Sequence, residues 1–297
     1  MTSSLVLQAE RRDAGSIYVA PTLPAALDAL NDYGPAGAPF AGGTWIMRSP
    51  IRHEPLKPHY VAIGKIPELS AIRIDAAAIE IGAAVTHTAL AAALTGLPEF
   101  GVLAAAAGRS ANPAIRGMAT VGGNLAASDF AAADCVPALL CLDATVEIAS
   151  RDNSDRISLV DFLKVRSTLP PGRLVTRIIV PRTERKTAHA RLPLRKSGDY
   201  PVAIVSLSVN VDPAGRVQAI RIAVGSVEPV ARRWGRLEAA LLGCILDPQQ
   251  AADMTAELAA DLAGEFTGRD SIEVPAWYRV SVLPNLMRRA ATAALGN

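Results

Sequence analysis

The chain has 297 residues, enough for two domains with separate cores. Half of its residues are hydrophobic (50%) and 20% are charged, which excludes a disordered or fibrous chain. Thirty Lys+Arg against 28 Asp+Glu leave a net charge of +2 without a dense basic run, which argues against a dedicated nucleic-acid binder.

Residues 1–12 lack the basic start and apolar core of a secretory signal. Asp134 and Asp143 interrupt the longest apolar stretch, so no membrane span is expected. The three cysteines, Cys135, Cys141 and Cys244, show no CxxC spacing. They are too few for a disulfide framework, a zinc site or an iron–sulfur cluster, and read as small buried apolar residues.

In chain order, residues 16–20 read as a strand. Pro21 and Thr22 open a helix with Leu23, Leu27 and Leu30 on one face, and Gly34 closes it. A short strand over 38–40 then delivers Ala41-Gly42-Gly43-Thr44-Trp45. This start superficially resembles a Rossmann unit, but GxGxxG is absent and the Gly-Gly pair follows the second strand. Strands are expected over 60–63, 71–74 and 78–81, the last two joined tightly at Asp75. Thr86 or Thr88 caps a helix, and His87 beside it could face a ligand but reads first as a capping or surface residue. A second Ala-rich helix spans 101–109.

The central stretch is Ala119-Thr120-Val121-Gly122-Gly123-Asn124-Leu125, followed by Asp134-Cys135-Val136-Pro137. Glycines without a Cβ can take positive φ and let a ligand approach the backbone. Successive N–H groups in such a turn can hold an anion, and two Gly-Gly loops suit a ligand with two linked phosphates. Beyond it come a strand over 144–148, a polar hairpin turn over 151–156 and a strand ending at Pro181. A different unit follows the charged run 182–186: a hairpin of 202–209 and 217–224 turning at 212–215, then helices over 232–242, 248–263 and 276–294. Arg232, Arg233, Arg236, Arg288 and Arg289 read as solvated helix faces.

Both glycine loops, Ala41-Gly42-Gly43-Thr44 and the run from Ile115 to Leu125, resemble the two pyrophosphate loops of one family. That family is the FAD-binding medium subunit of molybdenum hydroxylases, which includes carbon monoxide, xanthine and nicotine-type dehydrogenases. The resemblance implies an α+β fold. A two-subdomain, vanillyl-alcohol-oxidase/PCMH-like FAD-binding domain would span 1–181, with subdomains about 1–58 and 59–181. A C-terminal flavoprotein domain over 182–297 would hold a three-stranded sheet and helices.

The resemblance also implies cofactor contacts at Ala41, Gly42, Gly43, Thr44, Trp45, Thr120, Val121, Gly122, Gly123 and Asn124. Asp134 matches a family Asp near the FAD ribityl or pyrophosphate region, one residue farther from the loop than usual; a helix N-cap is its compatible alternative. Val175 aligns beside the flavin ring. Arg191 stands where many members carry Lys, keeping the charge but not its geometry. Ser110 or Ala111 falls at another flavin-contacting position. Trp45 replaces a small polar residue or Asp, and is read as packing between subdomains rather than stacking on the cofactor.

The implied cofactor on this chain is noncovalent FAD. Molybdopterin and 2Fe-2S clusters are expected on partners, a large molybdenum subunit and a small iron–sulfur subunit, in a cytoplasmic dimer of heterotrimers. No catalytic residue and no metal ligand is expected on this chain. The implied role is electron transfer from the clusters to an external acceptor. The competing readings are a stand-alone flavin oxidase of the same broad fold and a structural subunit that has lost FAD.

Overall fold

The computed structural model describes residues 15–194, 200–261 and 264–296. The reading of residues 1–12 and residues 262–263 of the helix expected over 248–263 lie outside the described residues.

Three parallel strands, β1 (Ser16–Val19), β2 (Gly37–Phe40) and β3 (His59–Ala62), form the first sheet in the order β1-β3-β2. Parallel strands need a crossover connection, and helix α1 (Leu23–Tyr33) supplies one between β1 and β2, which flank β3. Thr22 caps α1 by accepting from the Ala25 N–H, and Gly34 ends it at φ 52°. Ala26, Leu27 and Leu30 of α1 share a small core with Val61 and Ile63.

The second sheet has five antiparallel strands in the order β4-β5-β8-β6-β7. They are β4 (Ile72–Ile74), β5 (Ala78–Gly82), β6 (Thr145–Ala149), β7 (Ser154–Ser158) and β8 (Leu174–Pro181). Asp75 Oδ1 accepts from the N–H groups of Ala77 and Ala78 and so closes the β4–β5 turn. Between β5 and β6 run α2 (His87–Ala93), α3 (Gly101–Arg109), α4 (Pro113–Met118), α5 (Val121–Ala126) and α6 (Cys135–Cys141); α7 (Leu159–Val165) precedes β8. Leu90, Leu103, Leu125, Leu139 and Phe162 from these helices join Ile79, Ile81, Val146 and Ile178 of the sheet in one buried core.

The third sheet is antiparallel, β12-β11-β10-β9, with β9 (Lys186–Pro193), β10 (Pro201–Val211), β11 (Val217–Gly225) and the two-residue β12 (Arg232–Arg233). Its three long strands are the expected three-stranded sheet, and β12 extends one edge. Helices α8 (Gly235–Leu241), α9 (Pro248–Ala260), α10 (Ala276–Ser281) and α11 (Leu283–Leu295) follow. Leu207, Ile222, Trp234, Leu286 and Met287 belong to its core. Alternation along β9 positions the site. Ala188 and Ala190 enter this core, whereas Thr187 on the opposite face bonds Pro98 O and the Val102 N–H of the central region.

Several boundaries differ from expectation. The polar turn over 151–156 is shorter because β7 already begins at Ser154. The helix expected from Arg232 starts at Gly235, since Arg232 and Arg233 pair with Val224 and Ala223. The Arg233 guanidinium reaches Asp143 and Glu238, and Arg232, though exposed, stacks over Phe266; both lie on β12 rather than on a helix face. The C-terminal helix breaks at Val282, where Pro284 brings no N–H to the first turn of α11. Cys135 and Cys141 are buried as expected, and Cys244 is only half-buried.

Candidate functional site

One cavity of about 880 Å³ opens where the three regions meet. Ala41, Gly42, Gly43, Thr44, Trp45, Thr120, Gly122, Gly123, Asn124, Asp134, Val175 and Arg191 all line it. Ser110 and Ala111 line it as well, the latter at a positive φ of 45°. Val121 does not: its side chain is fully buried in the central core.

The two Gly-Gly pairs do different work. At Gly42 a Cβ would lie 1.8 Å from the Met118 carbonyl oxygen, so this glycine lets the first loop rest on the backbone before the second. Gly43 takes the left-handed φ of 68°. Among the described residues, the N–H groups of Gly42, Gly43 and Thr44 donate to no protein acceptor. The second pair is not the positive-φ turn that its sequence suggests. Thr120 caps α5, and Gly122 and Gly123 lie in its first turn. Their neighbours use up the local donors. Val121 N–H goes to Val85 O, Gly122 N–H to Ala83 O, Gly123 N–H to Thr120 Oγ1 and Asn124 N–H to Thr120 O. Gly122 is glycine because a Cβ would sit 2.6 Å from that of Ala83. Gly123 is exposed on the cavity wall, where its missing side chain leaves room. The Thr120 hydroxyl accepts from the Gly123 N–H inside the cap.

Asp134 begins α6 yet makes no side-chain cap bond, so the N-cap alternative does not hold. Asp134 is 4% exposed, and its Oδ1 accepts from Arg191 Nε at 2.7 Å. Arg191 reaches it from β9 and so ties the C-terminal sheet to the central region. Beside it, His87 is buried rather than on the surface. Thr86 performs the cap, and the His87 ring contacts Ser110 Oγ at 2.8 Å and Cys135 Sγ at 3.8 Å. Burial pushes the imidazole pKa down to about 4, against the opposing pull of Asp134. Burial likewise drives the Cys135 thiol well up, leaving it an inert core group.

Trp45 packs between regions, as expected, and also forms part of the cavity wall. Its Nε1 donates to Asp129 Oδ1 at 2.8 Å, and its ring lies 4.5 Å from Phe130 and under the Arg52 guanidinium at 4.0 Å. Phe130 in turn meets Tyr200 edge-on at 5.3 Å. Sequence reasoning missed Tyr200, Arg166 and Arg279 on the lining. Arg166 donates to Leu125 O at 2.7 Å beyond the end of α7, and Arg279 donates to Val202 O and Ser226 O. Burial lowers both guanidinium pKa values, that of Arg279 to about 10. No local motif marks the two arginines, because these carbonyl acceptors are distant in sequence.

A family model described as the FAD binding domain in molybdopterin dehydrogenase matches residues 12–183, and one described as the CO dehydrogenase flavoprotein C-terminal domain matches 189–294. The 6-hydroxypseudooxynicotine dehydrogenase complex subunit alpha of Paenarthrobacter nicotinovorans is 30% identical over 241 residues, covering 79% of each chain. The carbon monoxide dehydrogenase medium chain of Afipia carboxidovorans is 30% identical over 277 residues, covering 89% of this chain and 91% of that one. A solved Cu,Mo-CO dehydrogenase in its cyanide-inactivated form superposes with a TM-score of 0.85 at 25% identity, over 95% of this chain and 98% of the other. This chain belongs to the family of FAD-binding medium subunits of molybdenum hydroxylases. It is accordingly an oxidoreductase subunit. Among the described residues no helix is long and apolar enough to cross a membrane, and no cluster of His, Cys, Asp or Glu could hold a metal ion.

Proposed function

We propose that this chain holds FAD noncovalently in the cavity and relays electrons from partner iron–sulfur clusters to an external acceptor. The observation that carries the reading is the convergence of both glycine loops, Asp134 and Val175 on one cavity of about 880 Å³. The N–H groups of Gly42, Gly43 and Thr44 replace water around the pyrophosphate. Bonds to charged oxygens are the strong class of hydrogen bond. Gly123 and Asn124 line the same cavity, with Gly123 keeping its wall clear of a side chain. Asp134 accepts from a sugar-chain hydroxyl, and Val175, buried on β8, packs beside the flavin ring. His87, the histidine lining the cavity, is buried and engaged with Ser110, which supports noncovalent binding.

Bound FAD supplies the redox chemistry, taking electrons singly and releasing them in pairs. The chain's own work is to bind, orient and partly desolvate it. No residue is assigned a catalytic role. In this reading residues 1–181 form the FAD-binding domain, with subdomains about 1–58 and 59–181, and 182–297 form the C-terminal domain. The large molybdenum subunit and small iron–sulfur subunit complete a cytoplasmic dimer of heterotrimers. The test is copurification of the native chain followed by flavin, molybdenum and iron analysis. All three with two partner chains support the reading; a flavin-bearing chain without metal or partners would favour a stand-alone oxidase.

A further inference from the structure

His189 on β9 was not singled out by any motif, and it does not line the cavity. Its side chain is 0% exposed. Strand pairing sets His189 directly opposite Ser206 of β10, and Nδ1 meets Ser206 Oγ at 3.0 Å. The other ring nitrogen, Nε2, is buried with no hydrogen-bond partner among the described residues. It lies 3.7 Å from Asp134 Oδ1. That is the same oxygen that accepts from Arg191 Nε at 2.7 Å. A carboxylate favours the tautomer with the proton on Nε2, since a bare lone pair facing it would be repelled.

We propose that His189 is a positioning residue that, together with Arg191, fixes the rotation of Asp134. Both β9 side chains draw on Oδ1, and Oδ2 has no hydrogen-bond partner among the described residues. Asp134 lines the cavity, so the oxygen left over is the one offered to a ligand hydroxyl. His189, Arg191 and Thr187 share one face of β9, so the same face that docks this strand on the central region aims the carboxylate. A buried nitrogen without a partner costs stability. Its place behind a cavity-lining carboxylate gives that cost a purpose: the His189 N–H completes its contact when Asp134 settles on a bound hydroxyl.

The inference rests on the proposed FAD site. The test is equilibrium titration of the flavin-free, full-length chain with FAD, with thermal unfolding of the same chain without FAD. His189→Phe keeps the ring volume and removes both nitrogens. Its Tm without FAD is expected to change little, because removing the unpartnered Nε2 offsets leaving the buried Ser206 Oγ without its histidine partner, while FAD affinity falls roughly tenfold, the effect of one charge-assisted contact. His189→Gln places an N–H near the Nε2 position and is expected to bind FAD like wild type. His189→Asn reaches only toward Ser206 and is expected to bind as weakly as the Phe variant; it carries the test if that variant does not fold. Wild-type affinity in both the Phe and Asn variants, or Asn binding better than Gln, would overturn the inference and leave the FAD site standing. A wild-type chain that binds no FAD would overturn both.

Discussion

Gly42→Ala tests the packing of the two glycine loops. The added Cβ would lie 1.8 Å from the Met118 carbonyl oxygen, 2.7 Å from its carbon and 3.2 Å from the Ala119 Cα. All three are backbone atoms, so no side-chain rotation relieves the clash. Reaching even the 3.0 Å limit below which real Cβ contacts essentially vanish requires 3.0 − 1.8 = 1.2 Å of separation. A shift of that size exceeds the tolerance of a hydrogen bond near 2.9 Å. The first loop is tethered by the Ile63 N–H to Phe40 O bond, so it cannot follow freely. The expected stability cost is about 1–3 kcal/mol, the range for overpacking. Loss of one or two charge-assisted bonds from Gly42, Gly43 and Thr44 should weaken FAD by about 10²-fold. The control is Gly215→Ala, at φ 81° in the C-terminal hairpin, where the nearest atom to the new Cβ is 3.8 Å away. That variant should lose about 1–2 kcal/mol through backbone strain alone and keep FAD affinity. Urea unfolding and FAD titration separate the effects. Normal FAD affinity in Gly42→Ala would refute the loop-contact reasoning.

Gly123→Val should fold, with a damaged cap where its Cβ meets Thr120 Oγ1 at 2.9 Å, and should copurify with little flavin. A wild-type flavin-to-protein ratio would contradict the cavity-wall assignment. Asp134→Ala should weaken FAD by about 1–3 kcal/mol, the cost of a lost buried partner. Unfolding before flavin loss would mean that the Arg191 pair is chiefly structural. His87 is depressed from 6.5 to about 4 by burial, so the unfolded chain binds more protons between those values. Its contribution is full above pH 6.5 and lost as pH falls toward 4, about 3 kcal/mol in all. Urea unfolding at pH 7 and pH 4.5 should show this loss, and His87→Gln should flatten it.

Local signals in the sequence located most elements because they are local in physics as well. Thr22, Thr86 and Asp75 act within three residues of themselves, and each performs the turn or cap expected of its type. Both glycine loops could be found for the same reason. Their conformations could not, because two glycines fit a left-handed turn and a crowded helix start equally well. Only the fold brings Ala83 against Gly122 and Met118 against Gly42. Asp134 was visible as a candidate, but its partners Arg191 and His189 arrive from a strand more than fifty residues away. His87 read as superficial because its burial comes from Ser110 and Cys135, not from its neighbours in sequence.

The most direct test of the central claim is the flavin content of the purified full-length chain, read before and after acid or heat denaturation. The expected result is a flavin absorption spectrum in the native protein, about one FAD per chain, released wholly into the supernatant. A native protein that carries no flavin and takes up none when FAD is added would contradict it.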